Sequence, residues 1–267
     1  MNSSMLFTDR AETPLGPQKL AYMQQAGEGV GIMFCGGFRS DMSGTKASAL
    51  ADWAREKNRP FTRFDYFGHG ASSGQFTDGT MSHWRGDIPH MLDHLCATPQ
   101  ILIGSSFGGW LSLMAALDRP EKVAALVLIA PAVDMTERLM WARFSDKARA
   151  KLMDEGLIYD PSEYDPEGYP ITKALIEDGR AHLMLEAPIE INVPVRILHG
   201  QQDDAVPWQL SLELAERLTT PNVDLHFMKS GDHRLSAPHE IDRLIELIDA
   251  LAAYKSCASN SARKPSR

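Results

Sequence analysis

The stretch that decides the fold is Ile101–Leu117, which reads ILIGSSFGGWLSLMAAL. Its apolar start predicts a short buried strand, and its end, rich in Ala, Leu and Met, predicts a helix. Between them lies Gly104–Gly108 (GSSFG), a G-x-S-x-G pattern on a sharp strand-to-helix turn. Such a turn exposes the hydroxyl of its central serine, Ser106, at the carboxyl end of a sheet. The flanking glycines are typical of a turn too tight for side chains.

The alternation of strand and helix continues on both sides of this stretch. Short apolar runs predict buried strands at Val30–Cys35, Pro60–Tyr66, Val123–Ala130, Val193–His199 and Asp224–Met228. Helical periodicity is found at Thr45–Lys57, Met81–Ala97, Leu210–Leu218 and Ile241–Ala253. Met5–Asp9 and Lys19–Gln24 are candidates for an antiparallel edge. The pattern predicts an α/β fold with a mostly parallel central sheet and helices on both faces.

Residues 131–194 interrupt this rhythm, because an ordinary crossover between two strands is far shorter. The segment is polar and proline-containing, with helical patches at Ser145–Glu155 and Ile171–Leu185. It departs from the carboxyl edge of the sheet, so we predict an inserted helical cap over that edge; the alternative is an insertion without a role. Its apolar residues either line an acyl channel or form core: Leu139, Met140, Trp141, Phe144, Leu152 and Met153.

The predicted domain organisation follows from these elements. Residues 1–130 and 195–255 form the core, and residues 131–194 form the cap. Residues 256–267 lack apolar periodicity, so we expect a disordered tail.

The acid that would support Ser106 is sought downstream of it. A serine hydroxyl needs a neighbouring base, normally a histidine oriented by an acid. On a strand-turn-helix of this kind, the chain order is serine, acid, histidine. The loop after Val193–His199 offers Asp203 and Asp204. We choose Asp203 and keep Asp204 as the alternative, since adjacent aspartates also serve as helix caps or solvated loop residues.

His233 is the predicted base. It follows the strand Asp224–Met228 and has a glycine nearby, within Ser230–Arg234 (SGDHR). His226 lies inside that strand and His239 at the start of the last predicted helix, so neither has the required position.

The predicted oxyanion hole combines two backbone N–H groups, which an acyl-transfer intermediate requires. One belongs to Phe107, the residue after the nucleophile. The other belongs to Phe38, next to Gly37, in the loop after the strand Val30–Cys35. The alternative is that the two glycines before Phe38 merely end the strand. His69, which lies between two glycines, is interpreted as part of a structural loop.

Composition excludes several kinds of partner. The 267 residues carry a formal net charge of −8, which argues against a nucleic-acid-binding basic face. No apolar run approaches the roughly 18 residues of a membrane span. The three cysteines have no metal-ligand spacing, so neither a metal nor another cofactor is expected. The first residues resemble neither a secretory signal nor a transit peptide, which predicts a cytoplasmic protein.

Taken in order, the G-x-S-x-G motif, His199–Pro207 (HGQQDDAVP) and a late histidine resemble the alpha/beta hydrolase superfamily over nearly all of Lys19–Ala253. Within it, the chain is similar to the group that contains a mitochondrial S-depalmitoylating thioesterase and acyl-glucuronide esterase. The stretches that carry this similarity are Gly37–Ala47, Arg63–Tyr66, Ile103–Trp110, Leu198–Trp208 and Gly231–Ser236.

The resemblance implies the alpha/beta hydrolase fold, with Ser106 as nucleophile, Asp203 as acid and His233 as base. It implies a serine hydrolase that cleaves small-molecule carboxylic esters or thioesters through an acyl-enzyme; the motifs do not separate the two substrates. The alternative from another class is a catalytically silent protein of this fold that binds a small ligand or a partner.

Overall fold

A central sheet organises the protein, which is described by a computed structural model over residues 4–162 and 165–262. Within these residues the strands are β1 (Leu6–Arg10), β2 (Gln18–Gln25), β3 (Gly31–Cys35), β4 (Phe61–Phe64), β5 (Gln100–Ser105), β6 (Val123–Ile129), β7 (Leu157–Ser162), β8 (Asp165–Thr172), β9 (Val195–Gly200) and β10 (Val223–Met228). Eight of them form the central sheet in the order β1-β2-β4-β3-β5-β6-β9-β10, and β7 and β8 form a separate hairpin.

Six neighbouring strands of the central sheet are parallel, in the spatial order β4, β3, β5, β6, β9 and β10. The strands β1 and β2 form an antiparallel edge against β4. The predicted α/β class with a mostly parallel sheet is therefore confirmed. Because parallel strands end at the same edge, the loops after β3, β5, β9 and β10 come together there.

Both faces of the sheet are covered, as alternation along β3 shows. Ile32 and Phe34 belong to one buried cluster, with α1 and the last helix, while Met33 and Cys35 belong to the other. Side chains on a strand point alternately to opposite faces. The continuous apolar strands read from the sequence thus reflect burial on both sides.

Eight α-helices lie in the described residues: α1 (Thr45–Glu56), α2 (Met81–Arg85), α3 (Asp87–Leu95), α4 (Phe107–Asp118), α5 (Asp146–Glu155), α6 (Lys173–Gly179), α7 (Gln209–Arg217) and α8 (Pro238–Ala262). The single helix predicted over Met81–Ala97 is wrong, since it is divided at Gly86 into α2 and α3. Pro89 has no N–H to donate to the carbonyl of Arg85, so an unbroken helix would lose that hydrogen bond.

The insertion of residues 131–194 lies between β6 and β9 and contains more than helices. The predicted patch Ser145–Glu155 is found as α5, and the patch Ile171–Leu185 shortens to α6 and a 3-10 turn at Arg180–His182. Between them β7 and β8 pair as an antiparallel hairpin, which the sequence did not predict. Prolines are uncommon in strands, but a two-stranded ribbon leaves one side of each strand unpaired, where a missing N–H is tolerated.

The last helix, α8, runs to Ala262, past the end predicted at Ala253. The first part of the tail expected to be disordered is therefore helical, because residues 256–262 contain two alanines and neither glycine nor proline, so nothing in them breaks the helix; residues 263–267 lie outside the described residues. Within the described ranges, no helix has both the length and the apolar character needed to cross a membrane.

Candidate active site

Ser106 occupies the turn between β5 and α4 in a strained conformation. Its φ and ψ are 53° and −117°, in the half of conformational space that residues with a side chain avoid. Such a conformation costs roughly 1–3 kcal/mol and persists only where the surroundings fix it. Here the Ser106 N–H donates to Ile129 O at 2.8 Å, and its carbonyl accepts from Gly109 at 2.9 Å and Ala132 at 3.1 Å.

The two glycines of the motif are explained by close approach of backbone. A Cβ at Gly104 would lie 2.6 Å from the carbonyl oxygen of Gly108, and a Cβ at Gly108 would collide with the carbonyl oxygen of Cys35 at the end of β3. Glycine is therefore required at Gly104 by the tight turn and at Gly108 by the packing of α4 against β3.

His233 lies within hydrogen-bond distance of the Ser106 hydroxyl. Its Nε2 is 3.1 Å from Ser106 Oγ, and its Nδ1 is 2.7 Å from Asp203 Oδ2. An ionised carboxylate only accepts, so Nδ1 carries the proton and donates it to Asp203. That tautomer leaves Nε2 free to accept from the serine hydroxyl. The structure thus brings together the three residues chosen from the sequence.

Asp203 is surrounded by donors at the carboxyl end of β9. Its side chain is buried, whereas the alternative, Asp204, is exposed. Besides His233, its Oδ1 accepts the backbone N–H groups of Ala205 at 2.9 Å and Val206 at 2.7 Å. Burial alone would raise the pKa of this carboxyl, but hydrogen bonds from His199 and His233 outweigh burial and lower the pKa below its usual range. Asp203 therefore remains ionised beside His233.

His199 is a site residue that the sequence reasoning missed. It is fully buried at the end of β9, and its Nε2 lies 3.1 Å from Asp203 Oδ2 and 3.0 Å from the carbonyl of Val206. Both are acceptors, so Nε2 carries the proton; Nδ1 accepts from the Ser211 hydroxyl at 2.7 Å. The available signal was a histidine at the end of an apolar strand, four residues before the chosen acid.

The amides predicted to form the oxyanion hole lie on either side of Ser106. A methyl group at Gly37 would be 3.8 Å from Ser106 Cβ, so the loop after β3 passes beside the serine. The rings of Phe38 and Phe107 pack edge to face with centroids 5.6 Å apart, which ties this loop to the start of α4.

His69 supports the loop that carries Phe38. Its Nε2 accepts the backbone N–H of Arg39 at 3.1 Å, and its Nδ1 donates to Phe67 O at 3.0 Å. Burial lowers the pKa of His69 to about 4, which keeps the imidazole neutral and Nε2 an acceptor at neutral pH. Arg39 has a φ of 57°, so this hydrogen bond holds a strained turn. His69 contacts the loop through Arg39, in agreement with its interpretation as a structural residue.

The insertion reaches this site through Tyr169 of β8. The Tyr169 ring lies edge-on to Phe38, with centroids 5.9 Å apart. The apolar residues of the insertion are mostly packed: Met140, Phe144 and Leu152 are buried in the core, and only Met153 among the six is exposed. The packing favours core over an acyl channel for this set.

No group of three metal-ligating side chains occurs in the part of the chain that the structure describes. The groups gathered around Ser106 are instead a hydroxyl, an imidazole, a carboxylate and backbone amides. This set suits nucleophilic and acid–base chemistry.

Comparison with known proteins shows the family of the chain. A family model described as serine aminopeptidase, S33, matches residues 31–168. The mitochondrial palmitoyl-protein thioesterase ABHD10 of Mus musculus is 40% identical over 251 residues, covering 93% of this chain and 82% of the relative. The chain is an alpha/beta hydrolase. The Homo sapiens palmitoyl-protein thioesterase ABHD10 is 38% identical to this chain, covering 93% of this chain and 80% of that protein.

Solved structures agree with the alpha/beta hydrolase assignment. A crystal structure from Agrobacterium vitis S4 superposes with a TM-score of 0.90 at 38% identity, covering 94% of this chain and all of that one. The mouse ABHD10 structure gives a TM-score of 0.85 at 40% identity over 93% of this chain and 98% of that one. The resemblance found in the sequence is therefore confirmed at the level of the family.

Proposed function

We propose that this alpha/beta hydrolase is a serine hydrolase that cleaves carboxylic esters or thioesters through an acyl-enzyme on Ser106. The observation that carries the proposal is the continuous hydrogen-bonded chain from Asp203 through His233 to the Ser106 hydroxyl, with distances of 2.7 and 3.1 Å. A hydroxyl with an oriented imidazole beside it is an activated nucleophile.

In the first half-reaction, Ser106 Oγ attacks the acyl carbon while its proton passes to His233 Nε2. The Asp203 carboxylate stabilises the resulting imidazolium through the Nδ1 hydrogen bond. The negative charge that develops on the acyl oxygen is met by the N–H groups of Phe38 and Phe107. Collapse of this intermediate breaks the bond to the alcohol or thiol, which takes the proton from Nε2 and departs.

The second half-reaction repeats these steps with water. His233 Nε2 takes a proton from water as its oxygen attacks the acyl carbon, and the same amides hold the oxyanion. Collapse then breaks the ester bond to Ser106, whose oxygen takes the proton back from Nε2. The acid leaves, and the site returns to its starting state without any cofactor.

The substrate class follows from the relatives. Proteins 38–40% identical over nine-tenths of this chain carry the name palmitoyl-protein thioesterase, which supports acyl thioesters beside oxygen esters. We interpret the insertion, residues 131–194, as a cap over the site, because Tyr169 lies against Phe38, whose backbone N–H is one of the two oxyanion donors. A cytoplasmic location stays a prediction, since these relatives are named mitochondrial.

The experiment is hydrolysis of p-nitrophenyl acetate and butyrate, and of thioesters of increasing chain length, by wild type, Ser106→Ala and Ser105→Ala. We expect Ser106→Ala to lose turnover of every substrate, whereas its neighbour Ser105→Ala, matched in residue type, keeps it. Undiminished turnover by Ser106→Ala would refute the proposal. Absence of turnover in all three proteins would favour a ligand-binding protein of this fold.

A further inference from the structure

Lys46 has an unusual position for a lysine. It is the second residue of α1, whose first turn contains no acidic side chain. A cation there opposes the positive end of the helix dipole. The residue is also partly buried, where an ammonium group loses hydration. Both effects are unfavourable, so a compensating interaction must hold the side chain.

That interaction is with the loop that carries His233. Lys46 Nζ donates to the carbonyl oxygen of Arg234 and lies 3.5 Å from Ser236 Oγ. Ser236 Oγ donates to the same carbonyl at 3.0 Å. Lys46 and Arg234 are 188 positions apart in the sequence. Their contact therefore ties α1 to the residue directly after His233.

The carbonyl in question belongs to a strained peptide. Leu235 has a φ of 43° although it is not a glycine, and its side chain is buried. Asp232 Oδ1 holds the other face of the loop by accepting the N–H groups of Arg234 at 2.9 Å and Leu235 at 3.0 Å. Strain of this kind persists only where the surroundings over-determine it. Lys46 supplies one of these restraints.

We propose that Lys46 is a positioning residue for His233, holding the carbonyl of Arg234 so that the imidazole stays within reach of Ser106. The inference rests on the proposed function and extends it to a residue in the stretch Gly37–Ala47. This stretch then links both halves of the site, because Phe38 lies at one end and Lys46 at the other.

The charges that face Lys46 come from the histidine loop and the start of α8. Asp232 and Glu240 favour its charged form, Arg234 opposes it, and burial outweighs them and lowers the pKa of Lys46 to about 8. The ammonium is therefore charged at pH 7 and is lost as the pH rises through about 8. In the unfolded chain a lysine keeps its proton to about pH 10.4, so this deprotonation favours the folded state. Above about pH 8, we expect turnover to fall without a loss of stability.

The test compares Lys46→Met, Lys46→Arg and Lys57→Met with wild type on one ester substrate. Lys57 caps the other end of α1 and is exposed, so Lys57→Met is the matched control. We expect Lys46→Met to lower kcat about 10- to 100-fold with KM nearly unchanged, a melting temperature no lower than wild type, and no alkaline decline in kcat. Lys46→Arg should recover most of kcat and move the decline to higher pH.

Three results would overturn the inference: wild-type kcat in Lys46→Met, an equal loss in Lys57→Met, or a lower melting temperature in Lys46→Met that accounts for the lost activity. Ser106→Ala, run beside them, separates the two proposals. If Ser106→Ala is inactive while Lys46→Met is normal, only the role of Lys46 fails; if Ser106→Ala is active, the proposed function fails.

Discussion

His199 and His233 donate to the same oxygen of Asp203. His199 Nε2 lies 3.1 Å from Oδ2 of this carboxylate, and His233 Nδ1 lies 2.7 Å from it. With two backbone N–H groups on Oδ1, the carboxylate has four donors in a buried position. The acid is thus fixed in orientation and in charge state before any substrate arrives.

The first prediction concerns the pH dependence that His199 confers. The ionised Asp203 stabilises the folded state above its unfolded pKa of about 3.9. This stabilisation is lost as the pH falls through the lowered pKa of Asp203 in the folded protein. Because His199→Leu removes one donor, it raises that pKa. We expect kcat/KM to lose about tenfold at pH 7 and the loss to grow as the pH falls toward that raised pKa, measured as a pH–rate profile.

Stability and a control variant accompany this measurement. His199→Leu also leaves the hydroxyl of Ser211 without its acceptor, which should cost about 1–3 kcal/mol in urea unfolding. Ser211→Ala removes only the distal partner and should keep the acid limb of the profile near that of wild type. An unshifted acid limb in His199→Leu would contradict the role assigned to His199.

The second prediction separates the adjacent aspartates. Asp203→Asn keeps the shape but presents an amide to His233 Nδ1, which favours the wrong tautomer. We expect a loss in kcat on the order of 10⁴-fold. Asp204→Asn, whose side chain is exposed, should turn over close to wild type. Equal losses in the two variants would show that the loop, rather than the buried carboxylate, determines the rate.

A third prediction tests the support of the Phe38 loop. His69→Phe keeps an aromatic ring among Tyr66, Phe76 and Trp84 but removes the acceptor for the N–H of Arg39. Loss of an oxyanion donor lowers kcat about 10²–10³-fold, so displacement of the Phe38 donor should lower kcat about tenfold or more. His69→Gln retains an acceptor and should be less impaired. A kcat in His69→Phe equal to wild type would argue against this support.

The fourth prediction concerns the attachment of the insertion to the core. Asp178 of α6 accepts the N–H of Ser82 at 2.7 Å and its hydroxyl at 2.6 Å. Although burial would raise the pKa of Asp178, these bonds lower it, so the contact persists until the pH falls below the usual range of an aspartate. Asp178→Asn should increase amide hydrogen exchange in α6 at pH 7.

Glu177→Gln is the matched control for this attachment. It alters the same helix but removes only an exposed pair with Lys173 at 3.8 Å, and pairs of this kind contribute little. Exchange in α6 should therefore stay at the wild-type level. If both variants exchange alike, the Ser82–Asp178 contact does not hold the insertion.

The sheet and the residues around Ser106 could be predicted because they follow from strand order. Apolar runs mark strands buried on both faces, and their carboxyl ends place Ser106, Asp203 and His233 at one edge. The choice between Asp203 and Asp204 needed the structure, since burial distinguishes two identical side chains. The catalytic roles themselves stay predictions.

The features that sequence reasoning missed depend on contacts distant in the chain. His199 ends an apolar strand, and nothing local shows that its ring meets Asp203. The β7–β8 hairpin was missed because prolines normally disfavour strands, and only its isolation from the main sheet accommodates them. The contact of Lys46 with Arg234 joins the first helix to the last loop, so no local pattern contains it.

The nucleophile can be identified by peptide mapping with mass spectrometry after reaction with a fluorophosphonate probe, with the burst of p-nitrophenol followed in parallel. A nucleophilic Ser106 activated by His233 predicts one adduct on Ser106, no adduct in Ser106→Ala, and slow labelling in His233→Gln. An unlabelled Ser106 in a protein that turns over the ester, or an adduct on Ser105 instead, would contradict it.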